Sequence, residues 1–184
     1  LNNTLSTWDE AVSSAREHNA SLVRINDSSE NTIIWNLLQS ARNGRGPSGE
    51  LVRNAWIGAT DDPDQNGSTW NYETREYSDL NISATQGDWK WLSEGQDVNA
   101  SGYSNWIGGI EPNDANNSYA AMDFYNSEGN WTNLSKSYRL PFVLEYDSVT
   151  EPATLNTPID GYRKVLVIPA RFQDEGYTYM GSSA

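Results

Sequence analysis

Glu111 and Asn113 stand on either side of Pro112. A carboxylate and a carboxamide on a backbone whose direction proline restricts can aim two oxygens at one point, which is half of a site for a hard cation such as calcium. A second oxygen-rich stretch runs from Asp61 to Glu73. Counted from Asp62, oxygen-bearing side chains fall at loop positions one (Asp62), three (Asp64), five (Asn66) and twelve (Glu73), with Gly67 at position six. That is the pattern of an EF-hand calcium loop, in which alternate residues point inward, glycine permits the bend and a distal carboxylate closes the shell. No helices are predicted to flank it, and an ordinary Asp/Asn/Gly turn fits the same residues.

Other chemistries lack their equipment. The chain has no cysteine and a single histidine, His18, with no His-Glu-x-x-His pair, so thiol catalysis and zinc hydrolysis have no candidate residues. His18 reads as a surface or cap residue. The expectation is a protein that binds and does not catalyse.

The elements that must position these loops are legible from periodicity. Over residues 6–18, Trp8, Ala11, Val12 and Ala15 share one helical face, and Thr7 with Glu10 forms a capping-box start. Residues 21–25 alternate like a half-buried strand. Asp27 with Glu30 opens a second helix, whose apolar stripe is Ile33, Ile34, Leu37, Leu38 and Ala41 and which Asn43-Gly44 stops. Further strands are predicted over 55–59, 89–92, 119–125, 129–133 and 141–146. Residues 93–118 form a long loop rich in Gly, Asn and Ser, and a long irregular segment inside a compact domain usually carries function. These elements by themselves spell an α+β fold.

Composition narrows the partners. Lys and Arg number 12 against 25 Asp and Glu, a formal net charge of -13. Such an excess repels phosphate backbones and anionic lipid, so no nucleic acid and no membrane surface is expected as partner. It suits a protein that binds divalent cations, or one that is merely soluble. A mean hydropathy of -0.72 with 8 Trp and 10 Tyr describes an aromatic core in a loop-rich protein. No apolar run approaches the roughly 18 residues of a spanning helix, and any export signal is expected outside this chain.

An ordered set of short motifs resembles the C-type lectin-like domain family. The set is Trp56-Ile57-Gly58, Trp89-Lys90-Trp91, Tyr103-Ser104-Asn105-Trp106, Glu111-Pro112-Asn113 and Trp131-Thr132-Asn133. The resemblance implies a C-type lectin-like fold over residues 1–147, with two helices packed on small antiparallel sheets and a long loop region. It further implies a carbohydrate or glycoconjugate partner held through Ca2+ and a preference for mannose-, glucose- or fucose-type hydroxyls. Glu111 and Asn113 carry over directly as metal and sugar ligands. Asn117, Thr132 and Asn133 fall where the family places further ligands, and Asp114 can add charge. Trp131-Thr132-Asn133 replaces the family's Trp-Asn-Asp, which lowers the site's negative charge. Residues 70–88 look like an insertion, and Gln86-Gly87 stands where the family has Glu-Gly, leaving Asp61 and Asp114 as remnants of an auxiliary calcium site. Animal members are stapled by disulfides, whereas two aligned cysteine positions here are Ala15 and Leu144. This implies a cysteine-free, bacterial-type member, secreted or at the cell surface. A lectin-like domain that binds a protein partner, with no sugar, is the alternative.

Residues 148–160 read as a linker with Glu151-Pro152 and Thr157-Pro158, and 161–184 as a C-terminal extension. Residues 164–174 weakly resemble the opening of secreted metallopeptidase domains, which would make residues 1–147 a targeting module of a larger enzyme. A strand that packs back on the lectin-like sheet is the other reading.

Overall fold

Thr7 starts the first helix, α1 (Trp8–Glu17), with the reciprocal cap that its sequence predicts: Glu10 N donates to Thr7 Oγ1 and Thr7 N donates to Glu10 Oε2. Arg139 grips the same Glu10 with both terminal nitrogens at 2.9 Å, tying the helix start to the turn before the last strand of the sheet core. This computed structural model describes residues 5–39, 52–65, 67–71, 74, 76–80, 87–109, 112, 116–126, 128–146 and 164–168. His18 caps the C-terminal end of α1, its Nδ1 lying 2.7 Å from Ser14 O. That is the cap role its position suggests.

After α1 come β1 (Ser21–Leu22), α2 (Ser28–Gln39), β2 (Asn54–Thr60), β3 (Gly67–Asn71), β4 (Glu76–Leu80), β5 (Lys90–Trp91), β6 (Tyr119–Asp123), β7 (Trp131–Leu134), β8 (Phe142–Tyr146) and β9 (Lys164–Ile168). Among the described residues one sheet runs β1-β8-β2-β6-β7, with β5 also on β2 and β9 on β8; β3 and β4 form a separate hairpin. Strand β1 is shorter than the 21–25 alternation predicts. Beyond Leu22 the chain still binds both neighbours, since Val23 N donates to Val143 O and Val23 O accepts from Gly58 N.

The sheet is buried on both faces, so its central strand reads as a continuous apolar run. Period two along β2 sends Trp56 to one side, with Trp8, Ala11 and Ala15 of α1 and Leu144 of β8. It sends Ala55, Ile57 and Ala59 to the other, with Ile34 and Leu38 of α2 and the rings of Trp91 and Trp131. Ala15 and Leu144, where the resemblance places cysteines, thus share one apolar cluster. Gly58 is required by the close approach of β1: a Cβ there would lie 2.6 Å from Leu22 O and 3.0 Å from Val23 O.

Helix α2 departs from the predicted stripe in one respect. Its buried residues are Asn31, Ile34 and Leu38, whereas Ile33 is 54% exposed. Its start also differs from a reciprocal box: Asp27 Oδ1 accepts from Glu30 N, but Glu30 Oε2 turns back one residue further, to Asn26 N. Ala41, Asn43 and Gly44 lie outside the described residues, as does the 148–160 segment. In the C-terminal extension, β9 pairs antiparallel with β8 over its full length, from Phe142↔Ile168 to Tyr146↔Lys164. The β3–β4 hairpin, which overlaps the stretch that reads as an insertion, docks on the end of α1, where Tyr77 Oη donates to Arg16 O at 2.8 Å and Arg16 Nε to Ser68 Oγ at 3.0 Å. Buried Arg24 pairs with Glu94 in the turn after β5, and its main-chain N donates to Glu145 Oε2 at 2.9 Å.

Candidate functional site

Strand β7 carries the residues on which the candidate site rests, and an amide network fixes it. Trp131, fully buried, donates its indole Nε1–H to Asn31 Oδ1 of α2 at 2.8 Å. Asn31 Nδ2 in turn reaches Glu128 O at 3.1 Å and Gly129 O at 3.4 Å. From the opposite side Asn105 Nδ2 donates to the same two carbonyls at 2.9 and 3.1 Å, and Asn105 O accepts Trp131 N at 2.7 Å. The Tyr103-Ser104-Asn105-Trp106 segment is therefore bonded to β7 at both backbone and side chain. A ring stack continues the attachment: Trp106 meets Trp131 edge-on at 5.7 Å and Trp89 at 4.7 Å. At its other end the long loop is held by buried Val98, whose N donates to Trp89 O at 2.9 Å.

On this frame the Asn133 side chain reaches the main chain of Asn117. Asn133, 4% exposed, donates Nδ2–H to Asn117 O at 2.8 Å, so the carboxamide is oriented at the point where the long loop enters β6. Asn133 lies on the Trp131 face of β7. Thr132, half-buried, lies on the opposite face with Leu134, because successive strand residues alternate. Glu111, Asn113 and Asp114 lie outside the described residues. The residues present fit a hard cation in kind, as oxygen donors. Asn117, Thr132 and Asn133 bring no charge, and calcium affinity depends on the number of charged ligands. Among the described residues no three His, Cys, Asp or Glu side chains converge as a metal cluster.

Asp62 and Asp64, the first half of the second candidate loop, form an Asx turn: Asp64 N donates to Asp62 Oδ1 at 3.0 Å and Gln65 N to Asp62 O at 3.2 Å. The other carboxylate oxygen of Asp62 takes the Tyr119 hydroxyl. Burial pushes the Asp62 carboxyl upward, but the Tyr119 hydroxyl and the Asp64 N–H outweigh it and hold the pKa below the usual carboxylate range. Burial first, then the Asp62 hydrogen bond, raises the Tyr119 phenol strongly. Asn66 and Glu73 lie outside the described residues. Neighbouring Asp61 is 4% exposed; its Oδ2 accepts Gly87 N at 2.7 Å, joining the end of β2 to the segment before β5.

Solved structures of similar fold include C-type lectin domains. The mouse scavenger receptor C-type lectin carbohydrate-recognition domain aligns with a TM-score of 0.50 at 19% identity over 76% of this chain and 81% of its own. The C-type lectin CEL-I from Cucumaria echinata aligns with a TM-score of 0.52 at 21% identity over 76% and 82%. The fold is that of a C-type lectin-like domain. Human lithostathine adds a third likeness, with a TM-score of 0.50 at 20% identity over 76% of this chain and 82% of its own. No family model and no curated protein sequence matches the chain. No helix among the described residues of this lectin-like domain is long and apolar enough to cross a membrane.

Two positioning residues escape motif reading. Asn31 is a polar residue at a core position of an otherwise apolar stripe, three before Ile34 and seven before Leu38, and such a residue signals a buried partner. Asn105 sits inside a recognised motif, but only the fold reveals that it spans to Glu128 and Gly129.

Proposed function

We propose that this lectin-like domain is a carbohydrate-binding module that recognises mannose-, glucose- or fucose-type hydroxyl pairs through a calcium ion, on a secreted or cell-surface protein, and that it does not catalyse. The observation that supports the reading is the hydrogen bond from Asn133 Nδ2–H to the main-chain O of Asn117, which holds two of the proposed ligand positions next to each other. Glu111, Asn113, Asp114, Asn117 and Asn133 form the proposed ligand set. Thr132 is left out of it, since it faces the other side of β7. Calcium held there supplies open coordination positions for two vicinal hydroxyls, because it accepts six to eight oxygens in flexible geometry. With three neutral amides among five side chains, affinity in the weaker range typical of extracellular calcium modules, about 10⁻⁴–10⁻³ M, is expected. The proposal does not extend to a calcium in the 62–73 loop, where both Asp62 oxygens already have hydrogen-bond partners.

Calorimetric titration with calcium, then with methyl α-mannoside in calcium, tests the reading. Wild type should bind both, and Glu111→Gln should bind neither. Sugar affinity unchanged by Glu111→Gln would refute the calcium site; calcium binding without sugar would favour the protein-binding alternative.

A further inference from the structure

A cavity of about 530 Å³ opens beside Pro112, on the side of the long loop where Trp89 and Trp106 meet. Its size falls within the range of small-molecule sites, roughly 300–1,000 Å³. We propose that this cavity is a second carbohydrate subsite, which takes a neutral pyranose ring without calcium. The inference goes beyond the calcium site, and none of the residues proposed as metal ligands is used in it.

Three observations carry the inference. The first is a fixed aromatic wall. Trp106 lines the cavity, is half-buried, and is wedged edge-on between Trp89 and Trp131 at ring distances of 4.7 and 5.7 Å. An aromatic face held by two others offers the C–H side of a sugar ring a large apolar surface at small entropic cost. The second is an unspent donor. Trp89, also lining the cavity, is 7% exposed, and among the described residues its indole Nε1–H has no acceptor. Buried donors are nearly always paired, so one without a partner at a cavity wall points to a ligand oxygen.

The third is a set of oriented polar groups. Lys90, with its side chain 15% exposed, binds one oxygen of Asp88 at 3.2 Å and one of Asp97, fixing both carboxylates at the cavity. Their side chains stay 47% and 57% exposed, so each keeps an oxygen able to accept from a sugar hydroxyl. Exposed Asn99 and Ser104 add groups that both donate and accept. Stacking surface beside acceptors and donors is what a polyhydroxylated ring requires. Two aspartates against one lysine leave local negative charge, which discriminates against sialic and uronic acids.

The test follows the indole Nε1–H signals of Trp89 and Trp106 by NMR in the presence of chelator. Mannotriose, maltotriose and cellotriose are the neutral probes and sialyllactose the anionic one. At least one neutral trisaccharide should shift both indoles with a saturating curve, and sialyllactose should do so several-fold more weakly. Asn99→Ala with Ser104→Ala truncates two exposed side chains, so the fold is kept, and should weaken that binding about tenfold, or about 1.4 kcal/mol. Glu111→Gln should leave it unchanged while abolishing calcium binding, which separates this inference from the calcium reading. Indole signals indifferent to every neutral trisaccharide, a shift undiminished in the double variant, or a shift that appears only with calcium would each overturn the second subsite.

Discussion

Replacing Asn31 by alanine is the most informative single perturbation of the frame under the candidate site. The substitution deletes the acceptor of Trp131 Nε1–H at 2.8 Å and the donor to Glu128 O and Gly129 O at 3.1 and 3.4 Å. Asn31 is 3% exposed and Trp131 0%, so bulk water does not replace what is lost. A hydrogen bond contributes about 1 kcal/mol net, and a buried donor stranded without a partner costs about 1–3 kcal/mol, so the variant should lose about 2–4 kcal/mol. With a urea m-value of about 2 kcal/mol/M, the middle of the usual range, the unfolding midpoint should fall by roughly 1–2 M. Urea unfolding followed by tryptophan fluorescence measures this directly. The same substitution made in a Trp131→Phe background should cost about 1–2 kcal/mol less, because phenylalanine has no N–H to strand. A loss under about 0.5 kcal/mol, or an equal loss in both backgrounds, would refute the claim that this bond anchors β7.

Three further outcomes follow from the geometry. Gly58→Ala should destabilise by several kcal/mol or prevent folding, because its Cβ would meet the main-chain Leu22 O at 2.6 Å, and backbone carbonyls of a paired strand have little room to retreat; a urea midpoint close to wild type would contradict this. Glu10 is held below its ordinary value of 4.5 by the Thr7 main-chain N–H and then by Arg139. Its contribution is therefore complete above that value and is lost as the pH falls through the lower folded pKa. Wild type should exceed Glu10→Gln in urea midpoint at neutral pH and converge with it in acid. Tyr77→Phe should loosen the β3–β4 hairpin from α1 by removing the donor to Arg16 O, with a loss of about 1 kcal/mol and faster amide exchange in residues 67–80.

Much of the architecture was legible because local signals and long-range packing agree. The Thr7–Glu10 box, the α1 stripe and the unbroken apolar run of β2 each point to one solution, and each is found. The α2 stripe was half legible: Ile33 carries the right side chain at a solvent-facing angle, while Asn31 takes the core position because Trp131 needs its oxygen. Periodicity gave no hint of the β3–β4 hairpin, whose reason for staying folded lies in Arg16 and the end of α1, some sixty positions earlier in the chain. At the candidate site the resemblance names Asn117 and Asn133 as ligand positions, and the structure shows only that the Asn133 amide donates to the Asn117 main-chain O. Thr132 and Asn133 are neighbours on β7, and the two-residue repeat of a strand puts them on opposite faces. Asp62 shows the converse limit. An oxygen-rich loop does not say in sequence what its carboxylates meet, and Asp62 accepts a tyrosine hydroxyl and a turn N–H.

In the proposed function Asn133 and its neighbours hold calcium with the Glu111 loop and present it to a sugar. Its most direct measurement is the NMR signal of the Asn133 side-chain amide during addition of calcium and then methyl α-mannoside. The account predicts a calcium-dependent shift, a second shift with the sugar, reversal of both by chelator, and neither in Glu111→Gln. An Asn133 signal unmoved by millimolar calcium, or moved equally in Glu111→Gln, would contradict it.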